Sequence, residues 1–163
     1  MRTISPEALT REAFGPFGDV IEMEGSAHFT INQGFAERFN DLAHVDVEAQ
    51  GGLTNVSLFL GTPRPVPIAI MLMERHPLGS QIFYPLQDRP WLLLVASDVH
   101  DFASYRAFRA TGRQGVNYAR NVWHHPLLVR DPQSRFLIVD RKGPGNNLEE
   151  VWFEESFVFS LVP

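Results

Sequence analysis

Closely spaced turn signals constrain this chain more than any other feature, because they leave no stretch free for a long helix. Pro, Gly, Asp and Asn recur from Gly15 to Asn147, and the apolar runs between them are short. A helix start is legible only at Ser5-Pro6-Glu7, where a side-chain cap precedes proline and an acidic first turn. The predicted helix runs to Phe14 and is broken by Gly15-Pro16-Phe17-Gly18. Beyond it the period changes. His44-Val45-Asp46-Val47-Glu48 alternates as a half-buried strand does, and Leu53–Leu60, Val66–His76, Gln81–Leu86 and Trp91–Ala96 read as strands. Phe102, Tyr105 and Phe108 recur at three-residue spacing, so Asp101–Ala110 fits a short helix or a strand. His125–Arg130 and Arg135–Arg141 predict a hairpin around Asp131-Pro132-Gln133-Ser134. After the Gly143–Asn147 loop, strands are expected near Val151 and over Phe157–Leu161. About nine short strands and little helix predict a β-sandwich or barrel. With no repeat or linker visible, residues 1–163 are expected to form one domain.

Composition narrows the function classes. Apolar residues make up 44% of the chain, and thirteen Phe with three Trp supply core volume without disulfide or structural metal. The absence of cysteine removes thiolate ligands and thiol nucleophiles, and suits a reducing compartment. The longest nearly apolar run, Pro65–Met73, is far short of the roughly 20 residues that span a bilayer. Residues 1–14 carry no signal-peptide run, so a cytoplasmic location is expected. A formal charge of −5 argues against nucleic-acid or anionic-membrane partners, which need surplus Lys and Arg. A small anion can still bind where local cations overrule the global field.

Two segments carry residues suited to chemistry. In Glu74-Arg75-His76-Pro77-Leu78-Gly79-Ser80-Gln81, side chains two apart share a strand face, so Glu74 and His76 continue the row of Ile68, Ile70 and Leu72. An apolar row ending in a carboxylate and an imidazole describes a core that opens into a polar pocket, or a strand that simply reaches solvent. Arg75 projects to the opposite face. The second segment is Gly115-Val116-Asn117-Tyr118-Ala119-Arg120-Asn121-Val122-Trp123-His124-His125-Pro126-Leu127. Adjacent histidines on a strand face opposite sides, so only one enters a given pocket.

Together the segments resemble the cupin pattern, His-x-His, three or four residues, Glu, then a later His. Here it reads Glu74-x-His76-x4-Gln81, with His124 as the later histidine and His125 facing away from the pocket. Closer still is the resemblance to the ureidoglycolate lyase family, carried by Glu74–Gly79, Gly115–Tyr118 and Arg120–Leu127. Further matches run in order through most of the chain: Phe17–Ile21, Ile31–Gly34, Glu37-Arg38 with Asp41-Leu42-Ala43, and Asp140-Arg141 with Gly143. The resemblance implies an all-β, cupin-like double-stranded β-helix or jelly-roll barrel with a short N-terminal helix. It also implies a homodimer, a role in allantoin breakdown and a bound nickel ion.

Elimination of urea from (S)-ureidoglycolate needs a base for the hydroxyl proton, an acid for the ureido nitrogen and a group that stabilises the developing charge. Glu74, His76 and His124 are the expected catalytic residues. His76, Gln81 and His124, with Glu74 as a candidate fourth, are the expected ligands of a divalent metal. Such mixed nitrogen and oxygen donors suit nickel, iron, manganese and zinc alike. With Glu74 bound and Gln81 neutral, the site keeps one positive charge to draw in a small anionic substrate. Arg120 and Arg141 are candidates for binding its carboxylate and Asn32 and Asn117 its ureido group, with surface salt bridges and turn capping as their ordinary alternatives. Competing readings are an amidohydrolase releasing ammonia and carbon dioxide, a metal-dependent cupin acting on another small acid, and a cupin binding module without catalysis.

Overall fold

In the computed structural model, which describes residues 2–155 and 157–163, the chain is built almost wholly of strands. One helical turn, Arg11–Phe14, and three short 3-10 segments complete it. The class is the all-β, cupin-like one implied by the resemblance. Trp91–Ala96 explains why. All six of its residues are buried, and since strand side chains alternate, both of its faces must be covered. Trp91, Leu93 and Val95 face a core shared with Phe83, Val116, Tyr118, Phe136 and Ile138. Leu92, Leu94 and Ala96 face a second core with Ile68, Ile70, Phe159 and Leu161. Each such large side chain contributes about 1.5–3 kcal/mol by leaving water.

Trp91–Ala96 pairs antiparallel with Tyr105–Ala110 along its whole length. Its other edge takes Trp123–His124 and Leu128–Val129. Leu72–Arg75 extends this sheet, lying between Trp123–His124 and Glu149–Trp152. The opposing sheet has five antiparallel strands in the spatial order Gly18–Ile21, Gly115–Tyr118, Gln81–Pro85, Ser134–Lys142 and Leu53–Gly61. Its last strand is a free edge of nine residues without a charge, on which Val56, Leu58 and Leu60 are 64%, 70% and 68% exposed. A separate two-stranded arm, His28–Ile31 with Ala36–Phe39, stands apart from these sheets. No helix among the described residues is long and apolar enough to cross a membrane.

Four local expectations are corrected. The helix starts later than Ser5-Pro6 predicts, because Glu7–Ala8 adds to the sheet in parallel with Phe108–Arg109 and Glu7 is paired with Arg106. Thr10 is the true cap, its Oγ1 accepting from the Ala13 N–H at 3.1 Å. His44–Glu48 is not a strand: Asp46 is bonded to Ser80 through N–H to Oγ and carbonyl to N–H, both at 2.8 Å, leaving no ladder to join. Val66–His76 divides into Ile68–Ile70 and Leu72–Arg75, since the chain changes sheets at Met71. The hairpin around Asp131–Ser134 does not form. Leu128–Val129 pairs with Trp91–Leu92, whereas Ser134–Lys142 pairs in the other sheet. The ambiguous Asp101–Ala110 resolves into a 3-10 turn, Phe102–Ser104, and the strand Tyr105–Ala110.

Candidate active site

Glu74 lies near the end of its strand, directly opposite His124 in the ladder, and His76 follows where the chain bends away. Their ligand-type atoms all lie within 4.8 Å of one another. Glu74 Oε1 is 3.4 Å from His124 Nε2 and 4.0 Å from His76 Nε2. The imidazole of His124 lies on the Tyr118 ring, centroids 4.2 Å apart and planes within 11°, and is itself buried. Gln81 approaches from the opposing sheet, its Oε1 3.0 Å from His76 Nε2. Thus two sheets and one bend assemble the four groups.

Both histidine tautomers are set by backbone carbonyls, which can only accept. His76 Nδ1 donates to Asn147 O at 2.8 Å, and His124 Nδ1 donates to Val122 O at 2.9 Å. In each case Nε2 is therefore the atom turned toward the centre. Asn147 is itself held, its Oδ1 accepting from the Leu78 N–H at 2.8 Å. His124 Nε2 is buried with no hydrogen-bond partner, since Glu74 lies close but not in hydrogen-bonding alignment.

Burial disfavours charge on Glu74, but the neighbouring His124, His76 and His125 outweigh it and hold the carboxyl below its ordinary value. Burial, followed by the proximity of His124, pulls His76 down, against the opposing pull of Asn147, Glu74 and Gln81. At neutral pH the centre therefore holds a carboxylate and an uncharged His76. The donor set fits a divalent cation. Two ring nitrogens, a carboxylate and an amide oxygen converge with lone pairs, and an orphaned buried nitrogen is among them.

The four expected substrate contacts are not gathered at this centre. Val116 and Tyr118 face the core, so Asn117 between them faces the other way, its Nδ2 donating to Asp19 Oδ2 at 3.0 Å and His44 O at 2.7 Å. Arg120 is bound by both oxygens of Asp46. Together Asn117 and Arg120 line a recess of about 230 Å³. Arg141 is buried and makes three hydrogen bonds, all to carbonyls, two to Ala49 and one to Pro144. It thereby fastens the loop whose Asn147 orients His76. Asn32 sits at the tip of the exposed arm, with a positive φ.

Arg75 faces away as expected, paired with Glu149 and lying 4.5 Å over the Trp123 ring. His125, the neighbour of His124, is buried. It is 3% exposed, its Nδ1 donates to Pro126 O at 2.7 Å, and its Nε2 is buried without a partner. Three further groups, Tyr118, Asn147 and Asp140, adjoin the centre without a local sequence signal for doing so. Tyr118 and Asp140 lie inside recognised segments, yet only the cross-strand register shows what they touch.

Comparison with known proteins identifies the family. The family model described as Ureidoglycolate lyase matches residues 1–160. The chain is 54% identical to Ureidoglycolate lyase 1 of Rhizobium meliloti (strain 1021) over 156 residues, 95% of this chain and 92% of that protein. It is 51% identical to the Ureidoglycolate lyase of Pseudomonas syringae pv. tomato (strain ATCC BAA-871 / DC3000) over 165 residues, 100% of this chain and 97% of the relative. The Burkholderia cepacia Ureidoglycolate lyase is 54% identical over 159 residues, covering 96% and 90%.

Proposed function

The chain belongs to the ureidoglycolate lyase family, and from that membership we propose that it eliminates urea from ureidoglycolate to leave glyoxylate. The observation that carries the reading is the convergence of Glu74, His76 and His124 within 4.8 Å. In the substrate one carbon bears a hydroxyl, a carboxylate and the ureido nitrogen. Ionised Glu74 accepts the hydroxyl proton on a carboxylate oxygen. As the C–O bond becomes a carbonyl, the C–N electrons pass to nitrogen, which takes up a proton. The proton gained by Glu74 equals the one urea needs, so a single carboxyl can serve as base and then as acid.

His76 Nε2, His124 Nε2, Glu74 and Gln81 Oε1 are the groups that would hold a divalent cation, nickel in this reading. Bound there, the cation supplies a Lewis acid that lowers the hydroxyl pKa and offsets the substrate's negative charge. His76 and His124 hold their lone pairs toward it because Asn147 and Val122 fix the tautomers. Arg141 and Arg120 lie apart from the centre, and each would have to leave its present partners to bind the substrate carboxylate. Arg141 is the stronger, since its partners are uncharged carbonyls, whereas Arg120 must first release Asp46. Asn117 and Asn32 would serve the ureido group only if the segments that carry them turned toward the centre. Asn117 Oδ1, buried and without a partner, is an acceptor suited to a ureido N–H. The single domain over residues 1–163, the homodimer and the cytoplasmic setting belong to the same reading. The uncharged free edge Leu53–Gly61 supports the dimer.

Product analysis with fresh ureidoglycolate decides the reaction, scored against spontaneous decay with and without prior chelation. Urea and glyoxylate in equal amounts are expected, with activity lost on chelation and restored by nickel. Ammonia in place of urea would move the protein to the amidohydrolase reading. No turnover from folded, metal-supplied protein would leave a binding module.

A further inference from the structure

Gln81 lies between two groups of opposite demand. Its Oε1 is 3.0 Å from His76 Nε2, and its Nε2 donates to Asp140 Oδ2 at 3.1 Å. An amide has an accepting end and a donating end, and either could be turned to the centre. Asp140 removes the choice. A carboxylate only accepts, so the NH2 must face Asp140 and the oxygen must face His76. Asp140 is in turn fixed by Asn55, which is opposite it in the ladder and donates to Oδ1 at 3.0 Å. Tyr118 stands opposite Gln81 on the other side. Tyr118, Gln81, Asp140 and Asn55 thus form one row across four neighbouring strands.

We propose that Asp140 is a positioning residue that sets the orientation of the Gln81 amide, so that the centre receives a lone pair instead of amide hydrogens. The reversed amide would donate to His76 Nε2 and occupy the lone pair that a cation needs. The arrangement also explains why a glutamine can stand where the cupin pattern has a glutamate. The negative charge is kept, but set back by the length of one amide. With a divalent cation bound, the ligand set itself would then keep one positive charge to meet an anionic substrate.

The inference rests on the cation-site reading above. The test compares nickel(II) affinity by titration calorimetry in metal-free wild type, Asp140→Leu and the double variant Gln81→Glu with Asp140→Asn. Asp140→Leu leaves the amide unrestrained, and a 10–100-fold loss of nickel affinity is expected, the range typical of groups that orient ligands. In the double variant the amide and the carboxylate exchange places. The introduced amide donates to the introduced carboxylate while still accepting from Asn55, so affinity should return to wild-type level or above. Unchanged affinity in Asp140→Leu, or a double variant no tighter than Asp140→Leu, would overturn the proposal. If Asp140→Leu fails to fold, the double variant decides alone: affinity well below wild type counts against the proposal. Wild type that binds no nickel would sink the cation reading instead. The Gln81 side-chain amide protons then decide by NMR: slow exchange in wild type that is lost in Asp140→Leu supports the assignment, and equal exchange in both refutes it.

Discussion

His76 and His124 differ in exposure yet present the same atom to the centre, because each is fixed from behind by a carbonyl. Replacing either by Ala removes a ring that neither neighbour can replace. His76→Ala and His124→Ala are each expected to lower turnover by about 10²–10⁴-fold, the usual reach of a positioned acid, base or ligand. Circular dichroism should show the fold retained, and full activity in both folded variants would refute the site. His125 acts on stability instead. Burial, partly opposed by Pro126 O, pushes its pKa down to about 4, whereas in the unfolded chain it titrates at about 6.5. The unfolded state therefore takes up a proton that the folded state refuses, and stability falls as pH drops from about 6.5 toward 4. Urea unfolding at pH 7 and pH 5 should show this loss, and His125→Asn should lessen it, leaving the part due to His76. An equally steep dependence in the variant would show that other groups cause it. At this scale sequence reached Glu74, His76, Gln81 and His124, since three lie within eight residues and strand periodicity puts Glu74 and His76 on one face. Asp140 and Asn55, 85 residues apart, meet only through register, which no local pattern encodes.

Among the elements, Gly115–Tyr118 has the most exacting surroundings. It lies between Gly18–Ile21 and Gln81–Pro85, and Gly18 opposite Tyr118 has a φ of +146°. A Cβ at Gly18 would collide with the Asn117 carbonyl oxygen. Gly18→Ala is therefore expected to destabilise the protein by more than about 2 kcal/mol. Thermal denaturation measures it, and an unchanged midpoint would show that the strand can shift. Tyr118 should move with the strand, so the stacking under His124 would loosen too. Legibility was uneven at this scale. Trp91–Ala96 and Gln81–Pro85 were readable because their apolar runs have one use, as strands buried within the layers. Glu7–Ala8 and His44–Glu48 were not, since a distant partner in one case and a serine hydroxyl in the other decide their conformation. Turn signals marked where the chain reverses, but not which sheet it then enters, and the expected hairpin at Asp131–Ser134 failed for that reason.

For the whole molecule, Leu53–Gly61 is an edge strand among the described residues, with Val56, Leu58 and Leu60 largely exposed. Long, uncharged and apolar edges invite pairing, and soluble chains usually protect them with Lys, Pro or a bulge. A two-fold partner would cover Val56, Leu58 and Leu60 with the same row from a second copy. If this edge forms the proposed dimer, Leu58→Asp with Leu60→Asp should yield monomers by sedimentation while leaving the circular dichroism spectrum intact. Wild type that sediments as a monomer would remove the edge as an interface. The reactive centre adds a different kind of joint. Glu74 and His124 belong to one sheet, Gln81 to the other, and His76 to the bend beside them. Elsewhere the two layers meet through apolar side chains, whose contacts are forgiving of small displacements. An ion gripped by both layers would act as a rivet, in a chain that has no cysteine to sew itself together.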